Sequence, residues 1–169
     1  VPLLQQPDVR LVTLTGPGGV GKTRLALASA HGMTDHFSDG IGFVPLAPLR
    51  DPTLVASTLA QTLGVREAGN DSHMTRLIAH VRDQRLLLVV DNFEQVVEGA
   101  SLLTDLLVAC PRLTVLVTSR ALLGVSGEQT FPVPPLTLPK PTQGGVSVLF
   151  NAFEASEAVR LFVARAQAV

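Results

Sequence analysis

The chain has 169 residues, of which 46% are hydrophobic, and its formal net charge is -1. This length suits one domain with a buried core, and no apolar run approaches the roughly 20 residues that cross a bilayer, so the apolar residues are expected to be buried internally. The nearly balanced charge and the absence of Trp and Tyr argue against direct nucleic-acid binding by this domain.

The cysteine content and the first residues bear on the cellular location. Cys110 is the only cysteine, so an internal disulfide is excluded and a reducing cytoplasm is the expected location. The first residues lack the basic segment and the cleavage site of a secretory signal. Because the chain starts on Val1 rather than on methionine, we expect it to be part of a longer protein.

The first predicted strand leads into a glycine-rich loop. Residues 11–15 alternate as a strand does, and apolar residues at helical spacing predict a helix over 23–37. The segment between them matches the pattern G-x-x-x-x-G-K-[ST] and reads Gly16-Pro17-Gly18-Gly19-Val20-Gly21-Lys22-Thr23. A strand, a glycine-rich loop and a helix in this order are typical of a phosphate-binding loop.

The residue types in this loop suit a nucleotide. Glycines let the backbone approach a ligand, so that successive N–H groups converge on phosphate oxygens at the start of the helix. Lys22 then offers a positive charge to the β- and γ-phosphates of ATP or to ADP, and the Thr23 hydroxyl is placed to bind Mg²⁺. The alternative is a glycine-rich turn that binds nothing.

The remaining elements continue the alternation of strands and helices. Further strands are predicted over 41–46, 86–90, 113–118 and 130–133, and further helices over 51–64, 71–81 and 96–110. Pro45 favours an edge position for the second strand, whereas the uninterrupted apolar run of the third is typical of a central strand buried on both faces. The pattern predicts a parallel sheet covered on both faces, with its ligand site beyond the carboxyl ends of the strands.

Proline marks the end of the predicted domain. Residues 1–133 form the predicted nucleotide-binding domain, and the prolines from Pro132 onward disfavour regular structure in a linker predicted over 134–155. A final helix is predicted over 156–169, and we expect it to lead to domains outside this chain.

Three side chains at or near strand ends are further site candidates. Asp91 follows the apolar strand, where a carboxylate orients Mg²⁺ directly or through water, and a helix cap is the alternative. Glu94 is a candidate catalytic base, although a capping role is the simpler interpretation. Arg120 can fork onto a γ-phosphate as a sensor, and the alternative is a surface arginine in a turn. The four histidines show no metal-ligand spacing.

These motifs resemble a known family. They look like the nucleotide-binding domain of STAND-class regulatory ATPases, most of all the NB-ARC-related domain of large bacterial LuxR-type and AfsR/SARP-type transcriptional regulators. The resemblance spans nearly the whole chain. The segments that carry it are residues 16–26, 88–94, 117–120, 127–128, 135–139 and 158–166.

The resemblance implies a three-layer P-loop NTPase sandwich, an α/β fold with a mainly parallel five-stranded sheet in the order 5-1-4-3-2. Another strand then lies between the loop strand and the strand of Asp91. The resemblance also implies that ATP in place of ADP drives rearrangement and self-association rather than fast turnover. Helical, winged-helix and repeat domains would follow in the same protein, with DNA binding elsewhere. Asn92 replaces the second acid of many related ATPases, which predicts slow or no hydrolysis.

The function predicted from the sequence is an ATP/ADP-binding switch domain of a cytoplasmic signalling or transcriptional regulator. Its predicted partners are nucleotide with Mg²⁺, the other domains of the same protein and further copies of itself. Two alternatives stay open. One is a catalytically active P-loop ATPase or small-molecule kinase, and the other is a scaffold that associates independently of nucleotide.

Overall fold

A computed structural model describes residues 1–65, 71–137 and 156–167. The chain divides into two compact units, Val1–Val133 and Pro134–Val169. Most of the linker predicted over 134–155 lies outside the described residues. Within the described ranges, no helix is long and apolar enough to cross a membrane.

The first unit is built on a five-stranded sheet in which every strand pairing is parallel. Its order is β2-β3-β4-β1-β5, which is the predicted order 5-1-4-3-2 counted from the opposite edge. β2 is an edge strand, as predicted, so its terminal Pro45 interrupts no central ladder. The strands are β1 Leu11–Thr15, β2 Ile41–Pro45, β3 Leu87–Asp91, β4 Thr114–Ser119 and β5 Glu128–Pro132.

Helices cover both faces of this sheet. Successive strand side chains point to opposite faces, and β3 shows the result because Leu88 and Val90 belong to one apolar cluster whereas Leu87 and Val89 belong to another. The first cluster includes side chains of α2, α3 and α4, and the second includes side chains of α1. The helices of this unit are α1 Lys22–His31, α2 Val55–Thr62, α3 His73–Val81 and α4 Ser101–Ala109.

Side chains cap the start of α3 and the 3-10 turn before α2, whereas α2 itself has no side-chain cap. The Ser72 hydroxyl accepts a hydrogen bond from the Thr75 N–H at the start of α3. Asp51 accepts from the hydroxyl and the N–H of Thr53 in the 3-10 turn that precedes α2. These hydrogen bonds hold the pKa of the Asp51 carboxyl below its usual value.

Several helices are shorter than the sequence pattern predicted, and α2 spans only Val55–Thr62 of the predicted range 51–64. α1 ends at His31 rather than at Phe37, since Gly32, a poor helix former, follows it. The helix predicted over 96–110 begins only at Ser101, after two 3-10 turns. Gly99 is the last residue of the second turn, and a Cβ atom there would be 3.2 Å from the carbonyl oxygen of Pro52. The close backbone contact favours glycine at this position, and because glycine is a poor helix former, α4 begins after it.

The second unit contains the helix α5, Glu157–Ala166. The side chains of Ser156 and Glu157 at its start form hydrogen bonds with Thr137. The Ser156 hydroxyl donates to the Thr137 carbonyl oxygen at 2.7 Å, and the Thr137 N–H donates to Oε2 of Glu157 at 3.3 Å. The last two residues of the helix predicted over 156–169 lie outside the described residues.

Candidate phosphate-binding site

The glycine-rich loop leaves β1 in a backbone conformation that other residues rarely adopt. Gly16 has a φ of 150°, and a Cβ atom there would lie 2.9 Å from the carbonyl oxygen of Val133. Gly21 has a φ of 97° and is the N-cap residue of α1. Both positions therefore require glycine, and the loop delivers the chain directly to the N-terminus of α1.

The Lys22 side chain folds back onto the glycine-rich loop. Its side chain is buried, with 7% relative exposure. The Nζ atom donates hydrogen bonds to the carbonyl oxygens of Gly16 at 2.8 Å and Pro17 at 3.0 Å. The loop backbone thus holds a positive charge at the point where the sequence predicted phosphate binding.

The Thr23 side chain forms a hydrogen bond with the end of β3. Its hydroxyl donates to Oδ1 of Asp91 at 2.7 Å, although the two residues are 68 positions apart in the chain. Hydroxyl and carboxylate oxygens are the kind of ligand that Mg²⁺ prefers, so this pair fits the predicted Mg²⁺ site. Within the described ranges, no group of three or more His, Cys, Asp or Glu side chains could hold a metal ion.

A second threonine holds the same carboxylate. The Thr118 hydroxyl at the end of β4 donates to Oδ1 of Asp91 at 2.5 Å and accepts from the Asn92 N–H at 3.0 Å. Thr118 was not among the site residues predicted from the sequence. The available signal was a hydroxyl side chain near the end of an otherwise apolar strand, two residues before Arg120.

The predicted capping role of Glu94 is wrong. Asn92 has a left-handed backbone with a φ of 62°, and the chain continues into the 3-10 turn Phe93–Gln95, which has no side-chain cap. The turn leaves Glu94 free to pair with Arg120, whose Nε atom lies 3.0 Å from its Oε1. The Glu94 side chain is only 10% exposed, and its Oε2 is buried without a hydrogen-bond partner among the described residues.

Arg120 lies against the glycine-rich loop. A Cβ atom on Gly18 would be 3.5 Å from both Cζ and Nη2 of the Arg120 guanidinium. The Arg120 side chain is 62% exposed, so it is a surface arginine that also touches the predicted site. The loop, Asp91, Glu94 and Arg120 therefore meet at the carboxyl end of the sheet, as their positions after strands predicted.

Comparison with protein families gives a match for most of the chain. Residues 8–125 match the family described as AAA domain. An HTH-type transcriptional regulator of Mycobacterium tuberculosis, whose name is provisional, is 40% identical over 161 residues. That alignment covers 95% of this chain and 16% of the relative. The regulatory protein AfsR of Streptomyces griseus is 32% identical over 115 residues, which cover 63% of this chain and 11% of AfsR.

Solved structures share the fold at low sequence identity. Cdc6p from Pyrobaculum aerophilum superposes with a TM-score of 0.59 at 16% identity, over 87% of this chain and 43% of that chain. The ORC2 protein of Aeropyrum pernix in its ADP form superposes with a TM-score of 0.54 at 15% identity, over 77% of this chain and 44% of that chain. The glycine-rich loop, the strand order and the family match lead to one conclusion: the chain belongs to the AAA domain family.

Proposed function

We propose that this chain is a regulatory switch domain that binds ATP or ADP with Mg²⁺ at residues 16–23. The observation that carries the proposal is the meeting of Lys22, the Thr23–Asp91 pair and Arg120 at one end of the sheet. These groups match the three needs of a bound nucleotide: a charge for the phosphates, oxygen ligands for the metal, and a group that distinguishes ATP from ADP.

Lys22 and the loop would bind the phosphates. The N–H groups at the start of α1 lie at the positive end of the helix, where phosphate is stabilised. The Lys22 ammonium, now bonded to loop carbonyls, would turn to the phosphate oxygens. Thr23 and Asp91 would hold the Mg²⁺, which when bound neutralises charge on the β- and γ-phosphates.

Arg120 would distinguish the two nucleotides. Its guanidinium lies beside Gly18 of the loop and pairs with Glu94. A γ-phosphate offers charged oxygens that match the guanidinium fork, and ADP has none at this position. A ligand shifts a conformational equilibrium only through such a difference in contacts. In this proposal, Arg120 exchanges Glu94 for the γ-phosphate when ATP binds.

Slow hydrolysis is part of the same proposal. Asn92 directly follows Asp91, and its amide cannot accept a proton from an attacking water. Glu94 is the alternative base, but its carboxylate is paired with Arg120. That pair is broken in the proposed ATP-bound state, so the expectation of slow hydrolysis rests on Asn92.

The relatives favour a regulatory role. The chain spans only 16% of the first relative in the comparison, which carries a regulator's name, so sensing and output would lie in other parts of a longer protein. We propose the STAND and NB-ARC-related subclass, located in the cytoplasm, with the other domains of the same protein and further copies of the chain as partners. DNA binding would belong to a different domain.

Calorimetric titration of the purified chain with ATP and ADP, in Mg²⁺ and in EDTA, tests the proposal. Lys22→Ala should weaken binding about 10- to 100-fold, since a hydrogen bond to a charged group contributes about 1.5–3 kcal/mol. Arg24→Ala, an exposed change on the same helix, is the matched control and should bind normally. If the unaltered chain binds neither nucleotide, the proposal is wrong.

Two further measurements separate the alternatives. A steady-state turnover of about 1 per second or faster would favour a catalytic ATPase or kinase, because typical enzymes turn over at this rate or above. Light scattering with and without nucleotide tests the scaffold. An oligomer that forms equally in both conditions would favour nucleotide-independent association.

A further inference from the structure

We infer that Thr118 is a positioning residue for the Mg²⁺-nucleotide site and that it acts by orienting the Asp91 carboxylate. The inference rests on the proposed function, because it concerns the same site. Thr118 would contact neither nucleotide nor metal. It would determine how strongly nucleotide binding depends on Mg²⁺.

The contacts of Thr118 fix its hydroxyl in one orientation. The side chain is buried, with 1% relative exposure. Its single O–H donor is directed to Oδ1 of Asp91, and its oxygen accepts the N–H of Asn92. A hydroxyl has one donor and two acceptor positions, so the donor is committed to Asp91. The adjacent N–H prevents the hydroxyl from rotating without loss of a buried hydrogen bond.

Asp91 depends on the hydrogen bond from Thr118 because the other residue that donates to its carboxylate is also expected to bind the metal. Thr23 also donates to Oδ1 of Asp91, but the Thr23 hydroxyl is the predicted metal ligand. When Thr23 serves the metal, Thr118 is the remaining side-chain donor to Asp91 among the described residues. Groups that hydrogen-bond a metal ligand orient it, and their loss typically weakens metal binding 10- to 100-fold.

The hydrogen bond from the Asn92 N–H to the Thr118 hydroxyl connects the ends of β3 and β4. Asn92 is the one non-glycine residue with a positive φ in the described ranges, and its N–H is held by the Thr118 hydroxyl at 3.0 Å. This turn carries Glu94 towards Arg120, which lies two residues after Thr118. Thr118 therefore anchors Asp91 and the adjacent turn to the end of β4.

The test compares Thr118→Val with Thr118→Ser in the complete chain. Valine keeps the shape and removes the hydroxyl, whereas serine keeps the hydroxyl. For each variant, calorimetry gives the Kd of ADP and of ATP in Mg²⁺ and in EDTA. We expect Thr118→Val to reduce the Mg²⁺-dependent gain in affinity about 10-fold, with the Kd in EDTA changed less than about twofold. Thr118→Ser should restore most of the gain.

Thr13→Val is the matched control. Thr13 is a buried threonine on β1, the strand next to β4, and its hydroxyl has no partner among the described residues. The same substitution at this position should leave the Mg²⁺ dependence unchanged. If Thr118→Val does not fold, Thr118→Cys, which substitutes a weaker thiol donor, should show a reduced gain in the same direction.

The outcomes distinguish this inference from the proposed function. A Thr118→Val chain with the unaltered Mg²⁺ dependence would overturn the inference alone, as would a Thr118→Ser chain that loses as much as Thr118→Val. If the unaltered chain binds no nucleotide, the proposed function fails and the inference fails with it.

Discussion

The Nε atom of Arg120 lies 3.0 Å from Oε1 of Glu94, while the same guanidinium lies against Gly18 of the glycine-rich loop. The two partners differ in exposure, because 62% of the arginine side chain and only 10% of the glutamate side chain reach solvent. The arginine can therefore turn towards a phosphate bound at the loop while the glutamate stays in place. The pair links the end of β4 to the turn after Asp91.

Removing the charge of Glu94 should favour ATP over ADP. In Glu94→Gln, Arg120 loses its ionic partner, so less free energy is needed to move it to the γ-phosphate. Partly exposed ion pairs contribute about 0.2–1 kcal/mol, which predicts a shift of up to about fivefold in the ratio of the two Kd values measured by calorimetry. Glu98→Gln, an exposed change four residues away, should not alter the ratio. A shift towards ADP would contradict the proposed exchange of partners.

Arg120→Ala should remove the discrimination between ATP and ADP. The affinity for ATP should fall about 10-fold or more, because a charge-assisted hydrogen bond to phosphate is lost, whereas the affinity for ADP should change little. Competition of each nucleotide against a fluorescent ADP analogue measures both values. Arg112→Ala, an exposed arginine that precedes β4, is the control. Equal losses for the two nucleotides would show that Arg120 is not a γ-phosphate sensor.

Gly16→Ala should destabilise the fold as well as the loop. The new Cβ would lie 2.9 Å from the Val133 carbonyl oxygen at a φ of 150°. Backbone strain and overpacking together predict a loss of about 2–4 kcal/mol in the free energy of unfolding, measured by urea denaturation. Gly124→Ala measures the cost of a positive φ without a steric contact, since Gly124 has a φ of 69° and no atom lies within 4 Å of the place that its Cβ would take. It should cost about 1–2 kcal/mol. Equal losses would contradict the steric explanation.

Thr13→Val should stabilise the chain. The Thr13 hydroxyl is buried without a partner among the described residues, and an unsatisfied buried polar group costs about 1–3 kcal/mol. Valine has nearly the same shape, so we expect a gain of about 1 kcal/mol and a rise of about 2–4 °C in Tm. Thr118→Val, which removes a hydroxyl with two partners, should lower the Tm instead. A decrease for both variants would mean that Thr13 has a partner.

Cys110 should be unreactive in the folded chain. Burial raises the pKa of its thiol, and the opposing charges of Arg82 and Arg10 only partly offset this effect. The unfolded chain therefore ionises first as the pH rises, so stability from this group is present below the ordinary thiol pKa of about 8.5 and declines above it. Labelling with a thiol reagent at pH 8 should be slow until denaturant is added. Fast labelling of the folded chain would contradict its burial.

The sequence by itself determined the features that depend on neighbouring residues. The pattern of residues 16–23 identified the loop, since its chemistry follows from glycine, lysine and threonine at set spacings. The apolar run before Asp91 identified a central strand. The alternation of strands and helices predicted the parallel sheet, and the family resemblance supplied the strand order that the structure confirms.

Only the tertiary structure decided which distant side chains meet. Thr118 is 27 residues from Asp91, and their hydrogen bond exists because β3 and β4 are adjacent strands. Glu94 has the spacing of a capping residue, yet the left-handed Asn92 turns it towards Arg120 instead. Local spacing carries no information on such pairs, because their geometry follows from the order of strands and from the turn between them. The loop could therefore be identified from sequence, whereas the arrangement of side chains around it could not.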